Sequence, residues 1–342
     1  MKGYDVAIIG GGLIGCAIAR ELALFDVSVV VLEKSADVGR GASKANSGII
    51  HGGYDARHGT TKAATSYRGN QAFDRLEEEL NFGFERTGSL VLAFDEADKQ
   101  KLAELLDNGQ LNGVKGLRLI NGPEAIEMEP SLNPAVKAAL YAPHTGICSP
   151  YEYTIALAEN AAANGVDFRL SCGLMAVEQA GQGFRLISGD GSTVNARRII
   201  NAAGVYSGQI AAMFGETGVQ IVPRMGQYLL FRKGSGDDIK QVLFQVPNEQ
   251  GKGVLVTRTY HGNLMIGPNA QYIEDPDELL TDLETLKAIM QTARKTMPDC
   301  LQAEPLRTFS GVRATSATGD FMIFRQQGLS GCIHVAGIDS PG

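Results

Sequence analysis

The chain opens on an apolar run, Val6-Ala7-Ile8-Ile9, broken by Gly10-Gly11-Gly12 and resumed at Leu13-Ile14-Gly15; a second run from Val27 to Leu32 ends on Glu33. Unbroken apolar runs of this length predict strands, and the stretch between them predicts a helix. Ala63, Ala64, Tyr67, Phe73, Leu76 and Leu80 recur near a 3.6-residue period, which predicts a helix over about 62–80. Leu90 to Phe94 reads as a strand, after which Asp95 is placed to cap a helix with Leu102, Leu105 and Leu106 on its apolar face. Ser149-Pro150-Tyr151-Glu152 has the form of a capping box with proline at the first helical position, and it opens an alanine-rich helix to Asn164. Strands are expected at 167–170, 174–177, 184–187 and 198–201. From about Arg224 to Tyr260 the alternation around Tyr228 and Leu230, followed by 254–257 and 264–266, predicts an antiparallel sheet. Asp275-Pro276 is expected to open a long helix that Pro298 closes. There is no internal repeat.

The first of these patterns carries chemistry. Strand, Gly10-x-Gly12-x-x-Gly15, helix, strand and a terminal acid form the unit that binds a dinucleotide. Gly10 permits the tight turn, Gly12 lets the backbone approach a pyrophosphate, and Gly15 lets helix and strand pack closely. The helix start at Leu13 and Ile14 presents N–H groups and a favourable dipole to phosphate. Glu33 is placed to accept from a ribose 2′-OH, which argues against a 2′-phosphate. NAD and FAD share this unit, so the motif alone leaves both open.

Composition narrows the class. The 342 residues are 44% hydrophobic and 20% charged, enough for a large core and about two domains. A formal charge of −7 argues against a nucleic-acid partner. The first strand begins too early for a signal peptide, and the glycines break the only early apolar run, so no membrane span is expected there. The five cysteines, Cys16, Cys148, Cys172, Cys300 and Cys332, have neither zinc nor disulfide spacing, and reduced thiols in a cytoplasmic protein are expected. Asp37, Asp55 and Glu77 to Glu79 form no metal constellation; the triple glutamate reads as a solvated helix face. Gly-x-Ser-x-Gly does not occur.

Three further segments resemble the D-amino-acid-oxidase-like flavoproteins. Gly39-Arg40-Gly41-Ala42-Ser43-Lys44-Ala45-Asn46-Ser47-Gly48-Ile49-Ile50-His51 resembles their second phosphate and isoalloxazine segment. Ile199-Ile200-Asn201-Ala202-Ala203-Gly204-Val205-Tyr206-Ser207 is similar to the strand and turn beside FAD. Gly337-Ile338-Asp339-Ser340-Pro341-Gly342 resembles the closing flavin motif, a turn followed by a helix N-terminus. Asn46-Ser47-Gly48-x-x-His51-x-Gly53 with Gly59-Thr60-x-Lys62-Ala63 is closest to two groups, the anaerobic glycerol-3-phosphate dehydrogenases and the L-2-hydroxyglutarate oxidases and dehydrogenases. Pro223 to Tyr228, Gly262 to Ala270 and the arginine-bearing Ser310-Gly311-Val312-Arg313-Ala314 are also similar. Gly52 and Gly173-Leu174 depart from the usual pattern. Relatives continue past residue 342, some into a cysteine-rich region for an iron–sulfur cluster, so the chain is expected to be a fragment.

The resemblance implies an α/β fold: a glutathione-reductase-type FAD/NAD(P)-binding Rossmann-like domain with an inserted mixed-sheet α+β substrate domain. The FAD-binding domain is expected over 1–80, 145–215 and 305–342, and the substrate or cap domain over 81–144 and 216–304. Non-covalent FAD is expected on Gly10, Gly12, Leu13, Ile14, Gly15, Glu33, Lys34, Gly41, Ala42, Ser43, Asn46, Ser47, Gly48, Ile50, Leu174, Ala203, Gly204, Gly311, Arg313, Gly337, Ile338, Asp339 and Ser340. Oxidising an alcohol then requires a base and a fixed cation for the substrate's anionic end. His51 is the candidate base, and Arg313 the candidate clamp unless an acid such as Asp320 occupies it. Tyr228 and Tyr260 are candidate pocket walls or core residues, and Lys62 is a second cation or a surface one. His58, His144, His261 and His334 are read as structural.

The implied activity is an FAD-dependent dehydrogenase passing hydride from a small anionic secondary alcohol to flavin N5. sn-Glycerol 3-phosphate is the first choice, L-2-hydroxyglutarate or another 2-hydroxy acid the second, and an amine or amino acid a third. A nicotinamide enzyme, an FAD-binding electron-carrying subunit and an apo scaffold are the alternatives of other kinds. The acceptor is left open among quinone, oxygen, an electron-transfer protein and a partner subunit. The expected location is the cytoplasm, with peripheral membrane association as the variant.

Overall fold

A computed structural model describes residues 3–247, 253–300 and 302–341, so 248–252 within the expected antiparallel stretch and Gly342 of the closing motif lie outside the described residues. The chain divides into two compact units, residues 1–45, 150–224 and 312–340 in one and 46–149, 225–311 and 341–342 in the other.

The first unit is built on an eight-stranded sheet: six strands in the order Leu174–Ala180, Gly183–Ser188, Thr193–Asn201, Gly3–Ile9, Val29–Leu32 and Asp167–Arg169, with Cys332–Ala336 also paired to Thr193–Asn201 and Met322–Arg325 paired to Cys332–Ala336. Gly3–Ile9 lies parallel to both Val29–Leu32 and Thr193–Asn201. Val29 to Leu32 are all buried, as a central parallel strand with both faces covered requires. Thr193–Asn201 serves two neighbours: its first half takes the antiparallel hairpin strand at Phe184 to Ile187, its second half the closing strand Cys332–Ala336 in parallel. The helix Leu13–Leu22 buries Gly15, Cys16 and Ala19, small residues that let it lie close to the sheet. It is met by the helix Pro150–Ala163, with Arg20 Nε donating to Asn160 Oδ1 at 3.2 Å. That helix starts at Pro150 as the sequence indicates. The expected cap is absent, however: the Ser149 hydroxyl is buried with no hydrogen-bond partner among the described residues.

The second unit carries a nine-stranded mixed sheet. Its order is Gln271–Tyr272, Ile221–Lys233, Asn263–Gly267, Leu255–Arg258, Val242–Gln245, Ser89–Ala93, Ala138–Ala142 and Arg118–Asn121, with Pro305–Ser316 also paired to Ile221–Lys233. Val242–Gln245 runs parallel to Ser89–Ala93, and the other pairs of known register are antiparallel. Both faces are covered. Leu90 and Leu92 pack with Ile289 and Ala293 of the helix Leu283–Thr296, while Val91 and Ala93 pack with Leu102 of the helix Glu96–Leu111. The period of two along one strand thus divides two cores. Asp95 caps its helix as expected, accepting from Asp98 N at 2.8 Å.

Three differences from the sequence reading have local causes. The helix expected from Asp275 begins only at Leu283, because Asp275 closes its own turn on Asp277 N and Asp282 makes the cap to Thr285 N at 2.8 Å. Glu77 is no solvated residue: its Oε2 accepts from Phe82 N and Gly83 N, both at 3.1 Å, and so closes the helix Thr61–Leu80. Residues 46–80 were expected with the first domain, yet they belong to the second compact unit. There Ile49–Ile50 pairs with Gly146–Cys148, which also pairs with Phe84–Arg86. No helix among the described residues is long and apolar enough to cross a membrane.

Candidate active site

In the first unit the glycine turn is fixed by contact. Gly10 sits at φ +109°, and a Cβ there would lie 2.5 Å from Ala202 O. A Cβ on Gly15 would lie 1.9 Å from Gly10 O, so the helix can approach the turn only with hydrogen in that place. Gly12 differs: it has φ −78° and ψ −179°, open to any residue, and a Cβ would meet only Ser43 Oγ, at 3.2 Å. Only Ser43 Oγ would have to yield, by a few tenths of an ångström, to a larger residue at position 12, so what glycine chiefly preserves is the open space over the helix N-terminus.

The surrounding groups complete this cradle. Glu33 ends its strand with both oxygens engaged, Oε2 accepting from Gly11 N at 2.7 Å and Oε1 from Ser35 N at 2.8 Å. Ser43 Oγ, on the short 3-10 helix Ala42–Lys44 that follows Gly41, accepts from Leu13 N at 2.8 Å. Ile14 packs on the sheet core. Lys34 Nζ stands 3.6 Å from the centroid of the Tyr206 ring. Leu174 opens its strand and is buried in the core. Ala203 caps the turn Gly204–Tyr206. That turn is held by Asn201, whose Nδ2 donates to Ser207 O at 2.8 Å and reaches His334 Nδ1 at 3.1 Å. With Gln326 Oε1 at 3.1 Å from its Nε2, His334 is read as the Nε2–H tautomer. It is wholly buried, and burial pushes its pKa down. Gly337 to Ser340 follow the strand Cys332–Ala336 as a loop. Arg313 lies half-buried on Pro305–Ser316 and makes no ion pair or side-chain hydrogen bond among the described residues; the alternative bridge to Asp320 is not formed.

The second unit holds His51. Asn46 Oδ1 accepts from Gly48 N at 2.8 Å, and Gly48 O accepts from Cys148 N at 2.7 Å; Ser47 lies in this turn, and Ile50 pairs with Gly146. The His51 ring lies 5.6 Å from Tyr54 and 5.5 Å from Phe244, and its Nδ1 stands 3.3 Å from Asp55 Oδ1. Both side chains of that pair are 10% exposed. The backbone is anchored as well: buried Asn70 donates to His51 O and to His144 O, each at 2.8 Å. Arg86 in turn donates to Asn70 Oδ1 at 2.8 Å, to Asn70 O at 2.7 Å and to His144 O, and it pairs with Asp74 at 2.6 Å. The guanidinium holds the Asp74 carboxyl below its usual range. Burial pushes the Tyr54 phenol up. Tyr228 is buried and stacked on Phe309 at 4.7 Å and 7°, whereas Tyr260 is 37% exposed beside His261. Gly311 is buried in its strand and Lys62 lies in the first turn of Thr61–Leu80. Asn70, Arg86 and the brace made by Ser43 are absent from the sequence reading, which weighed Asp55 only as a metal ligand; Asn70 alone had a signal, a polar residue on the buried face of a helical period. No cluster able to hold a metal ion occurs among the described residues.

The family model for FAD dependent oxidoreductases matches residues 5–342. The chain belongs to this family. It is 44% identical over 339 residues to a glycerol 3-phosphate dehydrogenase of Caloramator mitchellensis, covering 99% of this chain and 70% of the relative. An L-2-hydroxyglutarate dehydrogenase of Indibacter alkaliphilus is 32% identical over 273 residues, 78% of this chain and 68% of the relative. Among solved structures, the dithionite-reduced L-α-glycerophosphate oxidase of Mycoplasma pneumoniae with FAD bound superposes with a TM-score of 0.94 at 26% identity, covering 100% of this chain and 91% of that one. The protein is thus an FAD-dependent oxidoreductase of the expected fold class, and its cofactor is FAD. The cradle fits that cofactor: Gly12 leaves open the space that a Cβ would fill, at a helix N-terminus suited to a pyrophosphate.

Proposed function

We propose that this oxidoreductase converts sn-glycerol 3-phosphate to dihydroxyacetone phosphate. The observation that carries the proposal is the 44% identity, across nearly the whole chain, to a glycerol 3-phosphate dehydrogenase. In this reading the first unit holds FAD through Gly10 to Gly15, Glu33, Lys34, Ser43, the Ala203-Gly204 turn and the Gly337 to Ser340 loop. Bound FAD supplies the acceptor for the two electrons, which leave the substrate carbon as hydride. His51 takes the hydroxyl proton, and its nine-tenths burial limits competition from water. Arg313 has its donors unspent within the protein and holds the phosphate through two parallel N–H···O bonds.

A small anionic substrate is common to this reading and to the second, a 2-hydroxy acid, which the L-2-hydroxyglutarate dehydrogenase relative favours. We place the enzyme in the cytoplasm on its five buried free thiols. Burial pushes Cys16, Cys148 and Cys332 up to about 12, which keeps them unreactive. Oxygen, quinone, an electron-transfer protein or a partner subunit then serves as electron acceptor.

Anaerobic addition of substrate to the FAD-loaded protein tests the proposal. Bleaching of the flavin band near roughly 450 nm by glycerol 3-phosphate and not by 2-hydroxyglutarate is the expected result. The opposite pattern gives the second reading, and a yellow protein bleached by neither ends both. His51→Ala is expected to abolish bleaching with FAD retained. Arg313→Lys is expected to raise KM for the phosphate ester more than it lowers kcat.

A further inference from the structure

We propose that Asp55 is the positioning residue for His51: its carboxylate holds the imidazole at Nδ1 and leaves Nε2 as the nitrogen that takes the substrate's proton. The inference rests on the reading of His51 as the base and adds how that base is oriented and tuned.

Four observations carry it. Nδ1 and Oδ1 are 3.3 Å apart, within ion-pair reach although not aligned as a hydrogen bond, and both side chains are nine-tenths buried. The imidazole has little freedom to turn away, with Tyr54 and Phe244 against it and Asn70 fixing its own carbonyl. The carboxylate is equally fixed, although residues 51–60 form no helix or strand. Asn108 of the helix Glu96–Leu111 donates to Tyr54 O at 2.7 Å and Ala56 O at 2.9 Å, and Asn112 donates to Ala56 O at 2.8 Å. The carbonyls on both sides of Asp55 are therefore held by a helix, which makes this loop a rigid support for the acid. Lastly, the cavity around the pair is lined by Tyr54, Val91, Leu105, Phe244, Gln245 and Pro247, none of them ionised near neutrality. Among the described residues of that lining, Asp55 is the one carboxylate. Away from bulk solvent its charge is screened less than at the protein surface.

The consequences follow from charge. A carboxylate at Nδ1 favours the tautomer with the proton on Nδ1, so Nε2 is the acceptor. When the substrate's hydroxyl proton moves to Nε2, the imidazolium that forms is stabilised by the same carboxylate, and the base becomes stronger. This is the division of labour between base and orienting acid, applied here to an alcohol.

The test uses the FAD-loaded enzyme and single-turnover bleaching by glycerol 3-phosphate as a function of pH, for the wild type and for Asp55→Asn, Asp55→Ser, Asp55→Glu and His51→Gln. Asp55→Asn is expected to slow bleaching by roughly 10- to 100-fold, a part of what a positioned base contributes. The acid limb of its profile is expected to move at least about one pH unit lower, because an imidazole without the nearby charge is less basic. FAD content is expected to stay at the wild-type level, and Asp55→Glu to recover part of the rate and of the limb. A limb unmoved in Asp55→Asn overturns the proposal, even if the rate falls, since a merely structural residue would change stability without shifting a titration. Should Asp55→Asn not retain FAD, the position of the limb in Asp55→Ser, which also removes the charge, decides by the same criterion. His51→Gln separates the two layers: wild-type bleaching in that variant ends the reading of His51 as base, whereas loss of bleaching there with an unmoved limb in the charge-removing Asp55 variant ends only the inference about Asp55.

Discussion

Gly12→Ala and Gly15→Ala, three residues apart in one turn, are expected to separate cofactor affinity from folding. At Gly12 the backbone already has dihedrals that alanine adopts freely, and the added methyl meets only Ser43 Oγ at 3.2 Å. Glycine is somewhat better than alanine at an N-cap, but alanine also restricts the unfolded chain. The net change in stability is therefore about 1 kcal/mol or less. The methyl does occupy the space over the helix N-terminus. One lost hydrogen bond to a charged phosphate oxygen there costs about 1.5–3 kcal/mol, which raises the Kd for FAD by roughly 10- to 100-fold. At Gly15 the added Cβ would stand 1.9 Å from Gly10 O, a backbone atom with no side-chain freedom to yield. Helix and turn must separate by more than an ångström, at an overpacking cost of about 1–3 kcal/mol or more, and FAD binding falls with the fold. Thermal unfolding of each apoprotein, with FAD titration by quenching of flavin fluorescence, reads both quantities. A Gly12→Ala protein that binds FAD like the wild type, or that is destabilised as much as Gly15→Ala, would refute the account of this cradle.

Two buried titratable groups give stability predictions of opposite sign. His334 is neutral and its folded pKa is lowered by burial. The unfolded chain takes up a proton near pH 6.5 that the folded chain refuses, so this contribution is present above that value and lost as pH falls below it. Urea midpoints at pH values above and below 6.5 are expected to converge partly in His334→Gln; an undiminished acid loss counts against the assignment. Glu129 is wholly buried, its pKa is raised by burial, and its Oε2 accepts from Lys240 N at 2.7 Å and Gln241 N at 3.3 Å. Its folded form keeps a proton that the unfolded form loses near 4.5, so its contribution favours folding at low pH and declines as pH rises through the folded value. Glu129→Gln keeps the acceptor and is expected to remove that decline, whereas Glu129→Ala strands two N–H groups at a cost of about 2–4 kcal/mol. Equal denaturation midpoints for the two variants at neutral pH would show that the carboxylate braces nothing.

The parts of this molecule that were legible in the sequence are those whose cause lies within a few residues. Gly10, Gly12, Gly15 and Glu33 state their roles by spacing, because a turn, a helix start and a strand end are local geometry, and the buried run Val29 to Leu32 needs no partner to be read as a strand. The helix Thr61–Leu80 is likewise announced by its period and closed where its apolar positions end. What stayed hidden depends on chain brought in from far away. Asp282 takes over the cap expected of Asp275 while its other oxygen, Oδ2, accepts from Gln227, fifty-five residues earlier. Ser43 cannot be recognised as the partner of Leu13 N, nor Asn108 and Asn112 as the supports of the Asp55 loop, since each pair lies tens of residues apart and neither member has unusual neighbours. Asp55 is the instructive case. As a lone acid it fails every metal-binding pattern, and four residues from His51 in a loop its spacing carries no geometric meaning, because only a helix makes i and i+4 neighbours. The pairing exists because a distant helix pins the loop carbonyls and a parallel strand pair presents Phe244 to the ring. The reactive group can therefore be read from a motif, while the groups that set its orientation and charge come from tertiary structure; substitutions at Asn108 and Asn112 are where that division can be probed without touching the base itself.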